Sequence, residues 1–205
     1  MVPVPFPLGR VLLTTTSVVV LLGLGAEIAS ASGVDSRLVG FFSLSVEGNL
    51  PTWYASSLLL ACAALLGAMA HSATADRRHW GTLALIFVYL SLDEAAELHE
   101  NLGGLFGTGG VLYFDWVIPA AVVCLLLAAV FLPFVWRLRR DVRNRIIAAG
   151  ALYVAGALLL ELPLGWWTER AGDDNAVYAF IDLIEESLEL AGATLLADTL
   201  WKELR

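Results

Sequence analysis

The chain has 205 residues, of which 59% are hydrophobic and 16% are charged. Soluble domains are closer to half apolar and a quarter charged, so this composition indicates a multi-pass membrane protein and excludes disorder. The net charge of −8 makes nucleic acid a poor partner, and two cysteines are too few for a disulfide scaffold.

The apolar residues form six continuous stretches, each long enough for a membrane-spanning helix. A hydrocarbon core about 30 Å thick needs about 20 mostly apolar helical residues. The stretches are rich in leucine and alanine and lack the alternation that is typical of strands. We therefore predict an all-α integral membrane protein, a single six-helix transmembrane bundle over residues 1–205. The predicted spans are approximately 11–30, 52–71, 80–101, 115–136, 146–166 and 177–201.

The first span has an alternative interpretation as a secretory signal peptide. Arg10 precedes the apolar run, and Ala29, Ser30 and Ala31 would provide a small-residue cleavage site. Glu27, just before that site, fits such a signal poorly. We therefore expect the segment to remain as the first span.

The basic residues favour one orientation of the bundle. Ten of the twelve cationic side chains lie before span one, in the second and fourth connections, or after span six. Only Arg37 and Arg170 lie on the other side. Because cytoplasmic loops carry the excess of lysine and arginine, we expect both termini in the cytoplasm of a bacterium, with the protein in its inner membrane. Tryptophans would mark the two interfaces: Trp80, Trp136 and Trp201 inside, and Trp53, Trp116, Trp166 and Trp167 outside.

Two outer connections carry structural signals. In the longest, residues 31–50, the apolar segment 38–42 is expected to lie along the interface as a short amphipathic element. Asn49 and Thr52 around Pro51 predict the start of the second span, with a polar cap and proline near the first helical position. Five glycines between residues 103 and 110 predict a flexible connection.

Acidic residues are concentrated in spans three and six. An ionised carboxylate at the bilayer centre costs about 2.5–3.5 kcal/mol on insertion scales, so these groups should face the bundle interior or a water-filled cavity. At about 100° per residue, they form two faces. One face has Asp182, Glu185, Glu186 and Glu189 with Tyr178; the other is a stripe of Asp93, Glu97 and Glu100 with Glu94 at its flank.

No lysine or arginine lies within a predicted span to pair with these acids. A divalent cation, protonation or a cationic group of a partner must therefore compensate them. All-oxygen sites favour Ca²⁺, Mg²⁺ or Mn²⁺ over iron or zinc. The predicted metal ligands are Glu94, Glu97, Glu185, Glu186 and Glu189. Beside them, or on the route from the outside, we expect Asp93, His99, Glu100, Glu161, Asp182, Tyr178 and Glu47.

The histidines limit the enzymatic alternatives. Only His99 lies near the acids, and on an ideal helix it points away from the stripe that contains Glu97. The Glu97-Leu98-His99 segment also lacks the Glu-x-x-His spacing of a ferritin-type di-iron site. No serine or cysteine nucleophile accompanies a base, so the sequence does not favour an enzyme.

Several segments resemble an uncharacterised group of bacterial multi-pass membrane proteins, and the resemblance extends over most of the chain. They are Glu47–Trp53, Ser91–Glu94 with Leu98–Glu100, and Glu185-Glu186 with Glu189. The group has no established activity, so the resemblance implies no mechanism. It does draw attention to Glu47, Asn49 and His99.

Three functions remain open from the sequence. The leading hypothesis is an outward-facing carboxylate site that binds a divalent metal or protons for transport or sensing. The second is an accessory subunit of a larger membrane complex or a homo-oligomer, in which a partner supplies the missing positive charge. The third is a metal-dependent enzyme that acts on a lipid, with a metal-bound water as nucleophile.

Overall fold

The computed structural model describes residues 7–205, apart from the side chain of Glu100. Helices account for 80% of the chain, and the described residues contain no strand, which confirms the all-α prediction. A π-helical segment, Ala155–Leu160, joins α6 to α7, so that Arg140–Ala171 is one long helix. The α-helices are α1 (Leu8–Ala31), α2 (Arg37–Phe42), α3 (Leu50–Ser72), α4 (Arg77–Ala96), α5 (Val117–Arg137), α6 (Arg140–Val154), α7 (Glu161–Ala171) and α8 (Ala176–Glu203).

Within residues 7–205, four helices are long and apolar enough to cross a membrane, whereas the sequence predicts six spans. The four are α1, α3, α5 and the continuous α6–α7 helix. The predicted spans 80–101 and 177–201 correspond to α4 and α8, which are helical but fall short in apolarity. These are the two helices that carry the acids, and each carboxylate lowers the mean hydropathy of its helix.

Charged side chains tie several helix ends together at one end of the bundle. Gly9 of α1 packs against Asp198 of α8, and Arg145 of α6 binds Asp198 with 2.5 Å between Nη2 and Oδ2. Arg137 at the end of α5 binds Asp76, just before α4, at 2.6 Å. The start of α1 and the end of α8 therefore lie at the same end. We call it the arginine end, formed by residues 8–10, 73–78, 137–145 and 198–205, and the other the loop end, formed by residues 32–49, 97–116 and 172–175.

The core lies where α3 and α8 pack together, and α1 joins it through hydroxyl groups. The Thr16 hydroxyl of α1 is 2.7 Å from the Tyr54 hydroxyl of α3 and 2.6 Å from the Thr194 hydroxyl of α8. All three residues are buried, so this network fixes the relative positions of the three helices. The most deeply buried leucines are Leu58, Leu59, Leu66, Leu190 and Leu200.

Large apolar side chains also cover the outer surface. Leu85 of α4 and Leu125 of α5 are each 71% exposed. Soluble monomers rarely expose contiguous apolar surface of this kind, so the faces suit a lipid environment. Trp80, expected at the inner interface, is instead buried and packs edge-on against Phe134, with ring centroids 4.8 Å apart.

Candidate functional site

Three glutamates from two helices line one small cavity inside the bundle. Glu94 comes from α4, Glu186 and Glu189 come from α8, and Tyr153 of α6 completes the polar lining. The cavity volume is about 10 Å³, close to the minimum that holds one water molecule. We call it the glutamate cavity. Its apolar lining consists of Ala55, Leu59, Leu190 and Ala193.

The main charged neighbours of these glutamates are other acids. For Glu186 they are Glu189, Glu94, Asp182 and Glu47, and for Glu189 they are Glu94, Glu161 and Asp182. The Tyr153 hydroxyl donates a hydrogen bond to Glu189. The carboxyl groups of the glutamate cavity are thus surrounded mainly by other carboxyl groups, and Glu189 accepts a hydrogen bond from the Tyr153 hydroxyl.

A second group of acids lies further towards the loop end of α8. Glu185 is 7% exposed, and its Oε2 atom is buried without a hydrogen-bond partner in the described structure. Its main charged neighbours are Glu161, at the start of α7, and Asp182. Tyr178 lies beside the same two acids. The helical spacing along α8 therefore brings these side chains together, as the sequence predicts.

The π-helical segment packs directly against the acidic face of α8. A Cβ atom added to Gly156 would lie 2.7 Å from the Glu185 carbonyl oxygen and 2.7 Å from Cγ of Glu189. In the other direction, a Cβ added to Gly192 would lie 2.8 Å from the Tyr153 backbone nitrogen. Glycine at both positions lets the two backbones approach and places Tyr153 at the glutamate cavity.

The π-helical segment was not predicted, although Pro163 was an available signal. Proline lacks the N–H that would bond the carbonyl of Leu159, four residues earlier, and this loss favours a local change of helical pitch. π-helical turns occur frequently at functional sites. This one ends at Leu160, directly before Glu161 of the second acidic group.

Helix α4 ends at Ala96, earlier than the predicted span. Oδ1 of Asp93 accepts the His99 backbone amide at 2.9 Å, and Oδ2 lies 3.1 Å from Nδ1 of His99. Glu97 takes a left-handed conformation with φ of 50°. Asp93 thus holds the following residues in a turn and competes with further helix.

The predicted stripe of Asp93, Glu97 and Glu100 is therefore wrong as a helical face. Glu97 does not line the glutamate cavity, and the backbone of Glu100 lies in the 3-10 turn Glu100–Leu102. The side chain of Glu100 lies outside what the structure describes. Of the acids at the end of α4, only Glu94 reaches the cavity.

His99 does not point away from the acids as an ideal helix would require. The turn after α4 brings its ring back to Asp93 and against Trp116, with ring centroids 4.6 Å apart. The contact between Asp93 and His99 therefore lies at the loop end of α4, where Asp93 directly precedes Glu94.

Glu47 and Asn49 lie at the start of α3. Oδ1 of Asn49 accepts the Thr52 amide at 3.3 Å, and its Nδ2 donates to the carbonyls of Gly40 and Ser43 at 2.9 and 2.6 Å, which confirms the predicted cap. The Thr52 hydroxyl donates to Glu47 at 3.2 Å. Glu47 is in turn a charged neighbour of Glu94, so the cap connects to the glutamate cavity.

Asp115 organises the glycine-rich connection that the sequence predicts to be flexible. Its side chain is 1% exposed and accepts the amides of Gly104, Phe106 and Gly107 at 2.7, 2.8 and 3.1 Å. These hydrogen bonds, first that of Phe106, lower the pKa of Asp115 below its ordinary value. The loop is therefore tied to one buried carboxylate.

Comparison with known protein families gives one result that spans almost the whole chain. A family model described as a domain of unknown function, DUF8692, matches residues 11–202. The chain belongs to the DUF8692 family. This agrees with the resemblance to an uncharacterised family, and no activity is established for it. No curated protein and no solved structure matches the chain.

The DUF8692 region includes every residue of the glutamate cavity, but the predicted metal centre is not assembled. Within the described residues, no group of three or more histidine, cysteine, aspartate or glutamate side chains is placed to hold a metal ion. Ca²⁺ needs six to eight oxygen ligands at about 2.3–2.6 Å. Glu97 lies outside the cavity, and the charged neighbours of Glu185 are Glu161 and Asp182 before Glu189, so the five predicted ligands do not line one cavity.

Proposed function

We propose that this DUF8692 protein is a six-pass membrane protein whose glutamate cavity binds protons, and that proton binding serves transport or sensing. The single observation that carries the proposal is the arrangement of Glu94, Glu186 and Glu189 around a space for about one water molecule. The proton is the cation that needs the least room and no shell of ligands.

The proposal requires α4 and α8 to cross the membrane with the four apolar helices. Their ends lie beside the ends of those helices, since Asp76 before α4 binds Arg137 of α5 and Asp198 of α8 binds Arg145 of α6. Their acids face neighbouring helices, where a polar side chain avoids lipid. The positive-inside rule then places the arginine end, and with it both chain ends, in the cytoplasm.

Charge repulsion between the carboxylates supports protons, rather than a metal ion, as the bound cation. Carboxylates that share a site cannot all ionise at low cost, so one or more of them holds a proton unless a cation is present. The named charged neighbours of Glu186 and Glu189 are acids, and the Tyr153 hydroxyl donates to Glu189. Loss or gain of a proton would therefore change the repulsion between α4 and α8.

The π-helical segment links the charge on α8 to the conformation of the α6–α7 helix. Gly156 contacts α8 at Glu185 and Glu189, so a change in the spacing of α8 acts directly on an irregular part of the α6–α7 helix. Single π-helical turns within α-helices are frequently located at functional sites. We propose that protonation of the glutamates shifts this contact.

Infrared difference spectroscopy of the purified full chain tests the proposal. Protonated carboxyl groups give a C=O band that ionised carboxylates lack, and an ordinary glutamate with a pKa of about 4.3 is ionised throughout a titration from about pH 6 to about pH 9. We expect such a band in the wild type at about pH 6 and its decrease as the pH rises to about 9, and we expect a smaller band in Glu186→Gln and Glu189→Gln.

Asp174→Asn is the matched control, because it removes an exposed carboxyl between α7 and α8. The control should keep the band. A band that is absent from the wild type, or unchanged in both cavity variants, would overturn proton binding. If Ca²⁺ or Mn²⁺ raised the unfolding temperature and Glu189→Gln removed that effect, the metal hypothesis would replace proton binding.

A further inference from the structure

A long groove runs between α1 and α8, on the side of the bundle away from the glutamate cavity. Its volume is about 1130 Å³, larger than most small-molecule pockets. At the base of the groove, the hydroxyls of Thr16 and Thr194 bond each other, and Gly9 packs against Asp198. The two helices are thus joined at the base of an open groove.

The groove has a polar end and an apolar remainder. Arg10, Lys202 and Arg205 line it at the arginine end, and from there it continues along Leu13 and Leu21 of α1. Leu13 and Leu21 are 61% and 65% exposed, so no part of the chain between residues 7 and 205 covers this apolar stretch. The groove therefore has the amphipathic character of a lipid molecule.

The part of the groove from Arg10 to Leu21 is about as long as one leaflet of a bilayer. Arg10 and Leu21 are eleven residues apart on α1, which corresponds to about 16 Å at 1.5 Å of rise per residue. Half of a hydrocarbon core about 30 Å thick is about 15 Å. One acyl chain would therefore extend from the charged end to the middle of the membrane.

The charge at the polar end favours an anionic headgroup. Three cationic side chains face one acid, Asp198, which is already bound by Lys202 at 2.6 Å and by Arg145. Neither Arg10 nor Arg205 forms an ion pair in the described part of the chain, and the Arg205 guanidinium lies 5.9 Å from the centre of the Trp201 ring. Basic pockets between helices on the cytoplasmic side are typical binding sites for anionic lipid headgroups.

The positive charge at the polar end of the groove disfavours a second copy of the chain as the occupant. In a twofold dimer each surface patch meets its own copy, so the cations of one groove would face those of the other. We propose that the α1–α8 groove binds an anionic phospholipid, with its phosphate at Arg10 and Arg205 and one acyl chain along Leu13 and Leu21. The proposal rests on membrane insertion, as the proposed function does, but not on proton binding.

Native mass spectrometry of the detergent-solubilised full chain tests the proposal. The protein is mixed with equal amounts of phosphatidylglycerol and phosphatidylcholine that carry the same acyl chains. We expect phosphatidylglycerol to bind at least about tenfold better, since each cation near a headgroup contributes appreciably. Arg10→Gln with Arg205→Gln should bring the two lipids close to equality while leaving the ion pairs of Asp198 intact.

Two further variants separate the headgroup from the acyl chain. Arg77→Gln with Arg78→Gln removes two cations from the same end but outside the groove, so the preference should remain. Ala191→Phe places a ring in the groove and should weaken the binding of both lipids. Inorganic phosphate in excess should not displace phosphatidylglycerol.

Several results would overturn the lipid site. They are equal binding of the two lipids to the wild type, an unchanged preference after loss of Arg10 and Arg205, displacement by inorganic phosphate, or a stable dimer that Ala191→Phe dissociates. The carboxyl band of the glutamate cavity should be the same in every groove variant, so failure here is distinguishable from failure of proton binding.

Discussion

Asp93 and Asp115 both use a carboxylate to bind backbone amides near a helix end. Asp93 accepts the amide of His99, and Asp115 accepts amides from the connection after α4. Helical spacing could not predict either arrangement. The hydrogen-bonded residues are six or more positions apart, and the segments that join them contain residues in the left-handed conformation. The cap of α3 at Asn49 was predictable, since its whole signal lies in adjacent residues.

Asp115→Asn should loosen the loop between residues 103 and 110. Amide hydrogen exchange at Gly104, Phe106 and Gly107 is expected to rise by about tenfold or more, because a neutral amide oxygen accepts hydrogen bonds more weakly than a carboxylate. Exchange followed by mass spectrometry measures this. Glu169→Gln is the control, since Glu169 accepts the Gly110 amide at 2.9 Å instead; equal effects of the two variants would contradict the assignment.

The lowered pKa of Asp115 gives the loop a pH dependence of definite sign. The folded-state pKa lies below the unfolded value of about 3.9, so the stabilisation is complete above that value and is lost as the pH falls through the folded pKa. Loop exchange, corrected for its intrinsic rate, should be constant from about pH 7 to about pH 5 and rise only in stronger acid. A rise already near pH 6 would be inconsistent with this role.

At the scale of helices, apolar runs located the long elements but not their irregularities. The π-helical segment depends on Pro163 and on contact with α8, which is distant in sequence. Its partners on α8 were predictable because an acidic face repeats with the helical period, whereas the early end of α4 at Ala96 depends on one side-chain bond. Local periodicity therefore identified the three glutamates of the cavity, but not Tyr153 or the π-helical segment.

Gly156→Ala should destabilise the protein through the contact between the π-helical segment and α8. The added Cβ would lie 2.7 Å from Glu189 Cγ and from the Glu185 carbonyl oxygen, and overpacking of this kind costs about 1–3 kcal/mol. Thermal unfolding in detergent measures the change. The variant should also alter the carboxyl band, because it displaces Glu189.

Gly150→Ala is the matched control on the same long helix. A Cβ there meets open space, and alanine favours helix over glycine by roughly 0.5–1 kcal/mol. This variant should therefore be as stable as the wild type or slightly more stable. A Gly156→Ala protein that behaved like it would show that the close contact is absent.

For the whole molecule, the apolarity of the helices indicates four spans, whereas the way in which α4 and α8 pack favours six. Four helices meet the apolar criterion, while α4 and α8 carry acids that point at other helices. Composition alone could not decide their position, because it averages over both faces of a helix. A helix surrounded by others needs an apolar surface only where it meets lipid.

Labelling of single added cysteines tests the six-pass topology. Cys62 is fully buried, so it should not compete for a membrane-impermeant maleimide, and the partly exposed Cys124 is replaced by alanine in every variant. In spheroplasts of a bacterial host, Leu105→Cys and Asp174→Cys at the loop end should be labelled from outside. Ala75→Cys at the arginine end should react only after lysis. Labelling of Ala75→Cys and Leu105→Cys from the same side would show that α4 does not cross.

The central claim is that Glu186 and Glu189 hold protons where ordinary glutamates do not. Potentiometric titration of the purified chain counts the protons released between about pH 6 and about pH 9 directly. The wild type and Asp174→Asn should release at least about one proton more per chain than the Glu186→Gln, Glu189→Gln double variant. Equal proton counts in all three proteins would contradict the account.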